Sequence, residues 1–171
     1  MNDRAQVALV NMPFSFSKYP SIQLGTLSAL LKSKGIGVEC HHLNVRFAHK
    51  IGIPLYEAIC EKRALFGEWL FSYLLFRDNP KRADYPRLFK PVFEQIARES
   101  GHPESFFEEM ALRTAPQFLT AAMTGIDWGQ YRLVGFTSTF DQNVASLTMA
   151  KLIKDIYPEV KIVFGGAKYD G

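Results

Sequence analysis

The sequence has little of what marks secreted, membrane-spanning and metal-binding proteins. Its 171 residues include two cysteines, Cys40 and Cys60, which form neither a CxxC pair nor a Cys/His pattern with metal-ligand spacing. We therefore expect no metal site, and a reducing, cytoplasmic location. No continuous apolar run reaches the ~18 residues that span a bilayer, and no signal-peptide pattern opens the chain, so no membrane is expected as a partner.

A strong surplus of charge is also missing. Lysine and arginine number 20 against 17 acidic residues, which leaves a formal net charge of +3. The densest basic segment, residues 79–84, has acidic residues beside it and is predicted to be a solvated loop, so no nucleic-acid partner is expected. Neither GxxxxGK[ST] nor GxGxxG occurs, which argues against ordinary nucleotide binding. No Ser–His–Asp or Cys–His set follows from the spacing, so no catalytic residue is predicted.

Apolar runs and helical spacing alternate at the start of the chain. Residues 6–11 form a short apolar run typical of a buried strand, and residues 37–44 form another. Between them, Ser21 can cap a helix that Gly35 ends. A strand, a helix and a strand within about 40 residues predict a βαβ unit with parallel strands and a right-handed crossover.

The same rhythm returns near the end of the chain. Residues 131–138 and 160–164 are predicted strands, and the helix between them could be capped by Asp141 or Asn143. The long stretch from 45 to 128 has helical spacing and many aromatic residues, which are expected to pack mainly in the core. Its candidate helices cover residues 55–63, 67–76, 85–100 and 103–124.

These patterns predict an α/β fold with a doubly wound, mostly parallel, Rossmann-like sheet. We expect a single domain over residues 1–171, with a βα core in 1–44 and 129–171 and a large helical insertion in 45–128. Doubly wound sheets usually have five or more strands, and no covering helix follows the fourth strand here. The chain is therefore expected to be cut from a longer protein after that strand.

Ligands of open α/β sheets bind beyond the carboxyl ends of the strands, so the loops there are the candidate site. The glycine pair after the fourth strand would let a bulky ligand approach the backbone, although a simple turn explains it equally well. The polar stretch after the third strand offers hydroxyl and N–H donors, or else only caps a helix. The apolar loop after the first strand either faces a ligand or lies beneath the insertion. The candidate binding residues are Met12, Pro13, Phe14, Thr137, Ser138, Thr139, Phe140, Gln142, Asn143, Gly165, Gly166 and Ala167.

Several ordered motifs carry a resemblance to a known family. The motifs are Asn-Met-Pro-Phe at 11–14, Pro-Ser-Ile-Gln-Leu-Gly at 20–25, His-Leu-Asn at 42–44 and Gly-Glu-Trp-Leu-Phe at 67–71, followed by Gly-Phe-Thr-Ser-Thr-Phe and Val-Phe-Gly-Gly-Ala at the ends of the last two strands. In this order they resemble the N-terminal cobalamin-binding domain of cobalamin-dependent radical S-adenosylmethionine (SAM) enzymes. The closer resemblance is to the C-methyltransferases that mature ribosomally made peptides.

This resemblance implies a cofactor and a reaction. Cobalamin would lie against the carboxyl edge of the sheet, with its nucleotide tail at the loops after the strands. Methylcobalamin would give its methyl group to a substrate carbon radical, generated with SAM and an iron–sulfur cluster that a CxxxCxxC motif holds. The motif is absent here, so SAM and the cluster are expected only in a C-terminal domain beyond residue 171, and this chain alone is expected to be inactive. That domain and a peptide substrate are the expected partners.

A second departure concerns the cobalt ligand. The DxHxxG motif of the cobalamin mutases, whose histidine binds cobalt from below, is missing, and Ile22 stands where the histidine would be. The resemblance therefore implies that cobalamin binds base-off, without a histidine ligand. An alternative is the same fold with cobalamin binding lost, acting as an interaction module for a domain or a peptide.

Overall fold

The computed structural model describes residues 6–62, 64–76, 78–139 and 141–166. Four parallel strands form one sheet in the order β2-β1-β3-β4. The strands are β1 (Val7–Asn11), β2 (Val38–His42), β3 (Leu133–Thr137) and β4 (Lys161–Gly165). All four run in register, so that Leu9 of β1 lies beside Cys40 of β2 and Gly135 of β3. The predicted α/β class with a parallel sheet is confirmed.

Helices cover both faces of the sheet, as a doubly wound fold requires. Between β1 and β2 lies helix α1 (Ile22–Ser33), and between β3 and β4 lies helix α9 (Asn143–Ile156). Leu24 of α1 packs against Leu9 and Val38 on one face. The other face belongs to the main core, which includes α9. The opposite placement of α1 and α9 is the one expected when both crossovers are right-handed.

The predicted limits of α1 are confirmed by its caps. The hydroxyl of Ser21 accepts the N–H of Leu24 at 3.3 Å, which satisfies one amide of the first turn. At the other end Gly35 takes a φ of +74°, and its N–H donates to the carbonyl of Lys32. A left-handed residue after the last turn is the usual way to close a helix, and glycine adopts it without a steric penalty.

In the described part of the chain, seven α-helices separate β2 from β3 and form the insertion. They are α2 (Leu43–Ile51), α3 (Ile53–Lys62), α4 (Phe66–Leu75), α5 (Asp84–Leu88), α6 (Lys90–Ser100), α7 (Ser105–Glu109) and α8 (Ala115–Thr124). A π-helical segment, Met110–Thr114, joins α7 to α8. The buried side chains of the insertion belong to the same hydrophobic cluster as β1, β3 and α9, so the insertion shares the core of the sheet.

Two boundaries in the insertion differ from the prediction. Leu43 and Asn44 were assigned to the second strand, but both are buried at the start of α2. Residues 85–100 were predicted as one helix, but the chain breaks at Phe89 between α5 and α6. Pro91 explains the break, because proline has no N–H to continue the hydrogen-bond ladder of the preceding helix.

Among the described residues, no helix covers the β3–β4 half of the sheet on the α1 face. Helix α1 lies over β1 and β2, and Val163 of β4 is 49% exposed on that side. Within the described residues, no helix is both long enough and apolar enough to cross a membrane. The uncovered half begins at the carboxyl edge, where the candidate loops lie.

The aromatic cluster within the insertion offers a direct test of the fold. Phe66 is 1% exposed, and its ring lies 5.2 Å from that of Phe93 and 5.4 Å from that of Trp69. Phe66→Ala should lower the free energy of unfolding by about 3–5 kcal/mol, measured by urea denaturation, because it leaves a cavity in a packed core. The control Leu88→Ala removes a side chain that is 76% exposed and should change it by less than about 0.5 kcal/mol. Equal effects of the two changes would contradict the core assignment.

Candidate functional site

The candidate site lies where the winding of the sheet reverses. From β1 the chain moves outward to β2, and from β3 it moves outward in the other direction to β4, so the switch point lies between β1 and β3. Ligands of open α/β sheets bind in the crevice at this point. Here a crevice of about 210 Å³, which we call the switch-point crevice, opens between the two loops. It is lined by Asn11, Ser15, Phe16, Tyr19, Thr137, Thr139 and Gln142, among others.

A buried glutamine joins the two loops across the switch point. The side-chain amide of Gln142 donates to Oδ1 of Asn11 at 2.7 Å and to the carbonyl of Met12. Its carbonyl oxygen Oε1 accepts from both the N–H and the hydroxyl of Thr139, at 3.1 and 2.8 Å. Because Gln142 is almost fully buried, these bonds fix the floor of the crevice.

The three predicted residues of the first loop lie in the interior. Met12, Pro13 and Phe14 are all buried, and the ring of Phe14 stacks on Tyr56 with its centroid 5.0 Å away. The N–H of Phe14 donates to the carbonyl of Asp141 at 3.3 Å. The insertion therefore packs over this loop, which was one of the two predicted arrangements. Binding of a cofactor by these residues stays a prediction.

The insertion also fixes the outer part of the same loop. Asn44 and Tyr56 donate to the carbonyl of Ser15 at 3.5 and 2.6 Å. The buried carboxylate of Glu57 accepts the N–H of Ser17 at 2.8 Å and its hydroxyl at 2.5 Å. Burial raises the pKa of the Tyr56 phenol, which keeps it a hydrogen-bond donor. The loop above the crevice is thus held in one conformation by α2 and α3.

The ends of β3 and β4 pack against each other backbone to backbone. The N–H of Ser138 donates to the carbonyl of Gly165 at 2.8 Å. A Cβ on Gly166, whose φ is +107°, would overlap the carbonyl oxygen of Ser138, whereas a Cβ on Gly165 would meet nothing within 4 Å. The first glycine of the pair therefore faces open space, and the second is required by the turn. Within the described residues, the hydroxyl of Ser138 is buried without a hydrogen-bond partner.

The amino end of α9 is capped by a residue that we did not predict. Gln142, and not Asp141 or Asn143, takes the N-cap position of α9. The carboxylate of Glu68, from α4, instead accepts the N–H groups of Asn143 and Val144 at 3.1 and 2.5 Å. The prediction that Asp141 or Asn143 caps this helix was therefore wrong, because the cap comes from a helix far away in sequence.

A larger apolar opening, which we call the α1 groove, lies beside the crevice. It measures about 720 Å³ and runs along the uncovered half of the sheet beside α1. Its lining includes Leu9, Leu27, Leu30, Leu133, Val163 and Gly165. Ile22, Gln23 and Thr137 line both the groove and the switch-point crevice, so the two openings adjoin at the carboxyl edge.

The structure brings five of the twelve predicted residues to one edge. Thr137, Thr139, Gln142, Gly165 and Gly166 line the crevice or the groove. Ser138 is buried and Asn143 begins α9, while Phe140 and Ala167 lie outside the described residues. Five residues that hold the loops were not singled out from the sequence: Asn11, Asn44, Tyr56, Glu57 and Glu68. Three of them stand in the motifs of the family resemblance, which was the only signal available. Their partners are too distant in sequence for spacing to reveal them.

The neighbouring ionisable groups suit binding better than catalysis. Burial raises the pKa of the Cys60 thiol, so it stays protonated and is a poor nucleophile. Within the described parts of the chain, no three His, Cys, Asp or Glu side chains come together as a potential metal site. What the edge offers a ligand is amide and hydroxyl groups beside an apolar groove.

The two adjacent histidines point to opposite sides of β2, as the alternation of side chains along a strand requires. His41 lies against Trp128 with its side chain 11% exposed, while His42 is exposed. The hydroxyl of Tyr131 donates its proton to Glu39 at 2.5 Å. The hydroxyl oxygen can therefore only accept from His41, whose Nε2 lies 2.9 Å from it and is the donor. His41 is therefore a structural residue of the sheet edge.

Gly166 provides a test of the turn after β4. Gly166→Ala should lower the free energy of unfolding by about 2–4 kcal/mol, because the backbone conformation and the contact with Ser138 both exclude a Cβ. Gly165→Ala is the matched control and should change it by less than about 1 kcal/mol. Thermal and urea denaturation of both variants measure the difference, and equal stability would show that the turn tolerates a side chain at either position.

His41 should make stability depend on pH. Burial lowers its pKa and outweighs the opposing effect of the Glu39 carboxylate, 3.9 Å away. The folded protein then binds this proton less readily than the unfolded chain, so the free energy of unfolding should fall as the pH drops below about 6.5. His41→Gln should reduce this slope in denaturation measured from pH 7.5 to 5, whereas the exposed His42→Gln should keep it. An unchanged slope in His41→Gln would assign the effect to another group.

Comparisons with known proteins give this chain no relatives. No family model, no curated protein and no solved structure matches it. Its α/β fold with a parallel, doubly wound sheet is established by the strand order and the helices on both faces. Any function must be argued from the crevice and the groove themselves.

Proposed function

We propose that this chain is the cobalamin-binding part of a radical SAM methyltransferase that C-methylates a ribosomally made peptide. The α1 groove is the observation that carries the proposal. It is apolar, measures about 720 Å³, and opens at the carboxyl edge beside the switch-point crevice. Cobalamin has a flat apolar base at the end of a polar nucleotide tail, and the two adjoining openings offer a matching pair of environments.

The groove suits the base of the tail. Leu9, Leu27 and Val163 supply apolar walls, and a flat ring gains free energy by leaving water between them. Gly165 stands at the mouth, where a Cβ would meet no atom within 4 Å, so a ligand can pass close to the backbone there.

The crevice suits the polar part of the tail. Thr137 and Thr139 carry hydroxyl groups at its wall, and Gln142 holds the wall in place.

The cobalt itself would have no histidine from this chain. Ile22, at the position of the histidine in the mutase motif, is 78% exposed at the edge and offers no ligand atom. His41 lies on the core side of β2, and His42 lines a separate opening on the other flank of α1. Cobalamin would supply the methyl group for transfer, and the residues of this chain would bind and orient it.

The proposal assigns the radical chemistry to another part of the enzyme. SAM, the iron–sulfur cluster and the peptide would be bound by a C-terminal radical SAM domain. This chain would present the cofactor to that domain from the carboxyl edge of its sheet.

A second candidate function is an interaction module without cobalamin. The exposed apolar side chains of Ile22, Leu27, Leu30 and Val163 favour it, because a contiguous apolar surface suits a protein partner as well as a cofactor. The two candidates differ in whether the groove retains a corrinoid.

Titration with hydroxocobalamin tests the proposal. The absorbance spectrum is followed during the titration and again after desalting, for this chain and for the complete natural protein that contains it. We expect a retained corrinoid with a base-off spectrum, because the base would leave the cobalt for the groove. His42→Ala should leave that spectrum unchanged. Loss of all corrinoid from both proteins would overturn the proposal in favour of the interaction module.

A matched pair of variants locates the binding site. Gly165→Leu places a side chain in the mouth of the groove without straining the backbone, and should weaken retention by a factor of about 10 or more. Lys161→Leu introduces the same side chain at the other end of β4 and should retain cobalamin as the unchanged chain does. Equal retention by the two variants would place the cofactor elsewhere.

A further inference from the structure

The carboxylate of Glu68 occupies the amino end of α9. Its two oxygens lie 3.1 Å from the N–H nitrogen of Asn143 and 2.5 Å from that of Val144. The first amides of a helix have no partner within the helix and carry a partial positive charge. Glu68 satisfies two of them at once with a full negative charge.

The start of α4, the helix that carries Glu68, packs tightly against the loops of the carboxyl edge. A Cβ on Gly67 would lie 2.6 Å from the ring of Phe14 and would overlap the carbonyl oxygen of Asp141. The start of α4 is therefore in direct contact with both loops of the carboxyl edge. Glycine at this position permits the approach, and the approach places the next side chain on the helix amides.

A phosphate is the ligand that such a helix end ordinarily binds. In open α/β folds the helix that follows a strand at the switch point presents its free N–H groups to a phosphate. In this chain the carboxylate of Glu68 occupies that position and is tethered to the protein. A phosphate would have to displace it and would be repelled by its negative charge.

We propose that Glu68 is a specificity-determining residue, which keeps phosphate groups away from the amino end of α9. The carboxyl edge then selects ligands that present no phosphate to this helix, and mononucleotides and dinucleotides bound in the usual way are excluded. This inference does not depend on cobalamin, because it concerns only the exclusion of phosphate from the amino end of α9.

Removal of the carboxylate should turn the helix end into an anion site. Glu68→Ala is compared with the unchanged chain and with Glu108→Ala, a matched control on an exposed face of α7. Without added anions, Glu68→Ala should melt roughly 4–10 °C lower than the unchanged chain, because two charge-assisted hydrogen bonds are lost. Inorganic phosphate or formate at pH 7 should recover at least half of this loss, relative to sodium chloride of equal ionic strength.

The amide resonances of Asn143 and Val144 report binding directly. In nitrogen–proton correlation spectra they should shift saturably with phosphate in Glu68→Ala and stay fixed in the unchanged chain and in Glu108→Ala. Saturable shifts in the unchanged chain would overturn the proposal, as would the absence of any anion-specific response in Glu68→Ala. Glu68→Ser, which keeps a short polar side chain, repeats the titration if the alanine variant does not fold, with the same two outcomes. Failure of cobalamin to bind would leave these results untouched.

Discussion

Close contact between α4 and the two loops at the carboxyl edge is the constraint on which the site depends. Gly67 allows this contact, since any side chain there would overlap Phe14 and the backbone of Asp141. With α4 in place, Glu68 reaches the amides of α9, and Phe14 stacks on Tyr56 beneath the insertion. The insertion therefore acts as the support that sets the loop conformations, and it does so from within the same hydrophobic core as the sheet.

This support changes what the edge can bind. An unoccupied helix end would favour phosphate, but in this protein the end is filled. The openings beside it are the switch-point crevice, with the hydroxyl groups of Thr137 and Thr139 at its wall, and the apolar α1 groove. A ligand with a flat apolar part, and with a polar part whose phosphate stays away from the amino end of α9, fits these conditions, and this physical description lies behind the proposal of cobalamin. The same surface suits a protein partner, and corrinoid retention separates the two.

Much of the fold was predictable because it depends on local patterns. Apolar runs predicted four strands, Ser21 and Gly35 predicted the ends of α1, and the order of elements predicted a parallel sheet. The carboxyl-edge rule then located Thr137, Thr139, Gln142 and Gly165 near one another. Predictions failed where a distant contact decides the local structure. Asn44 begins α2 and bonds to the first loop, although the apolar pattern before it favours a strand.

The sequence by itself determined the fold class, the ends of α1 and the edge at which ligands of such sheets bind, because propensity, periodicity and strand direction are local properties. Only the tertiary structure decided that Glu68 caps α9, that Glu57 and Tyr56 hold the first loop, and that Gly166 is needed by the turn while Gly165 faces open space. Each of these facts depends on the distance between groups that lie far apart in the chain. Such distances arise only when the insertion packs on the sheet, and no pattern within a short window contains them.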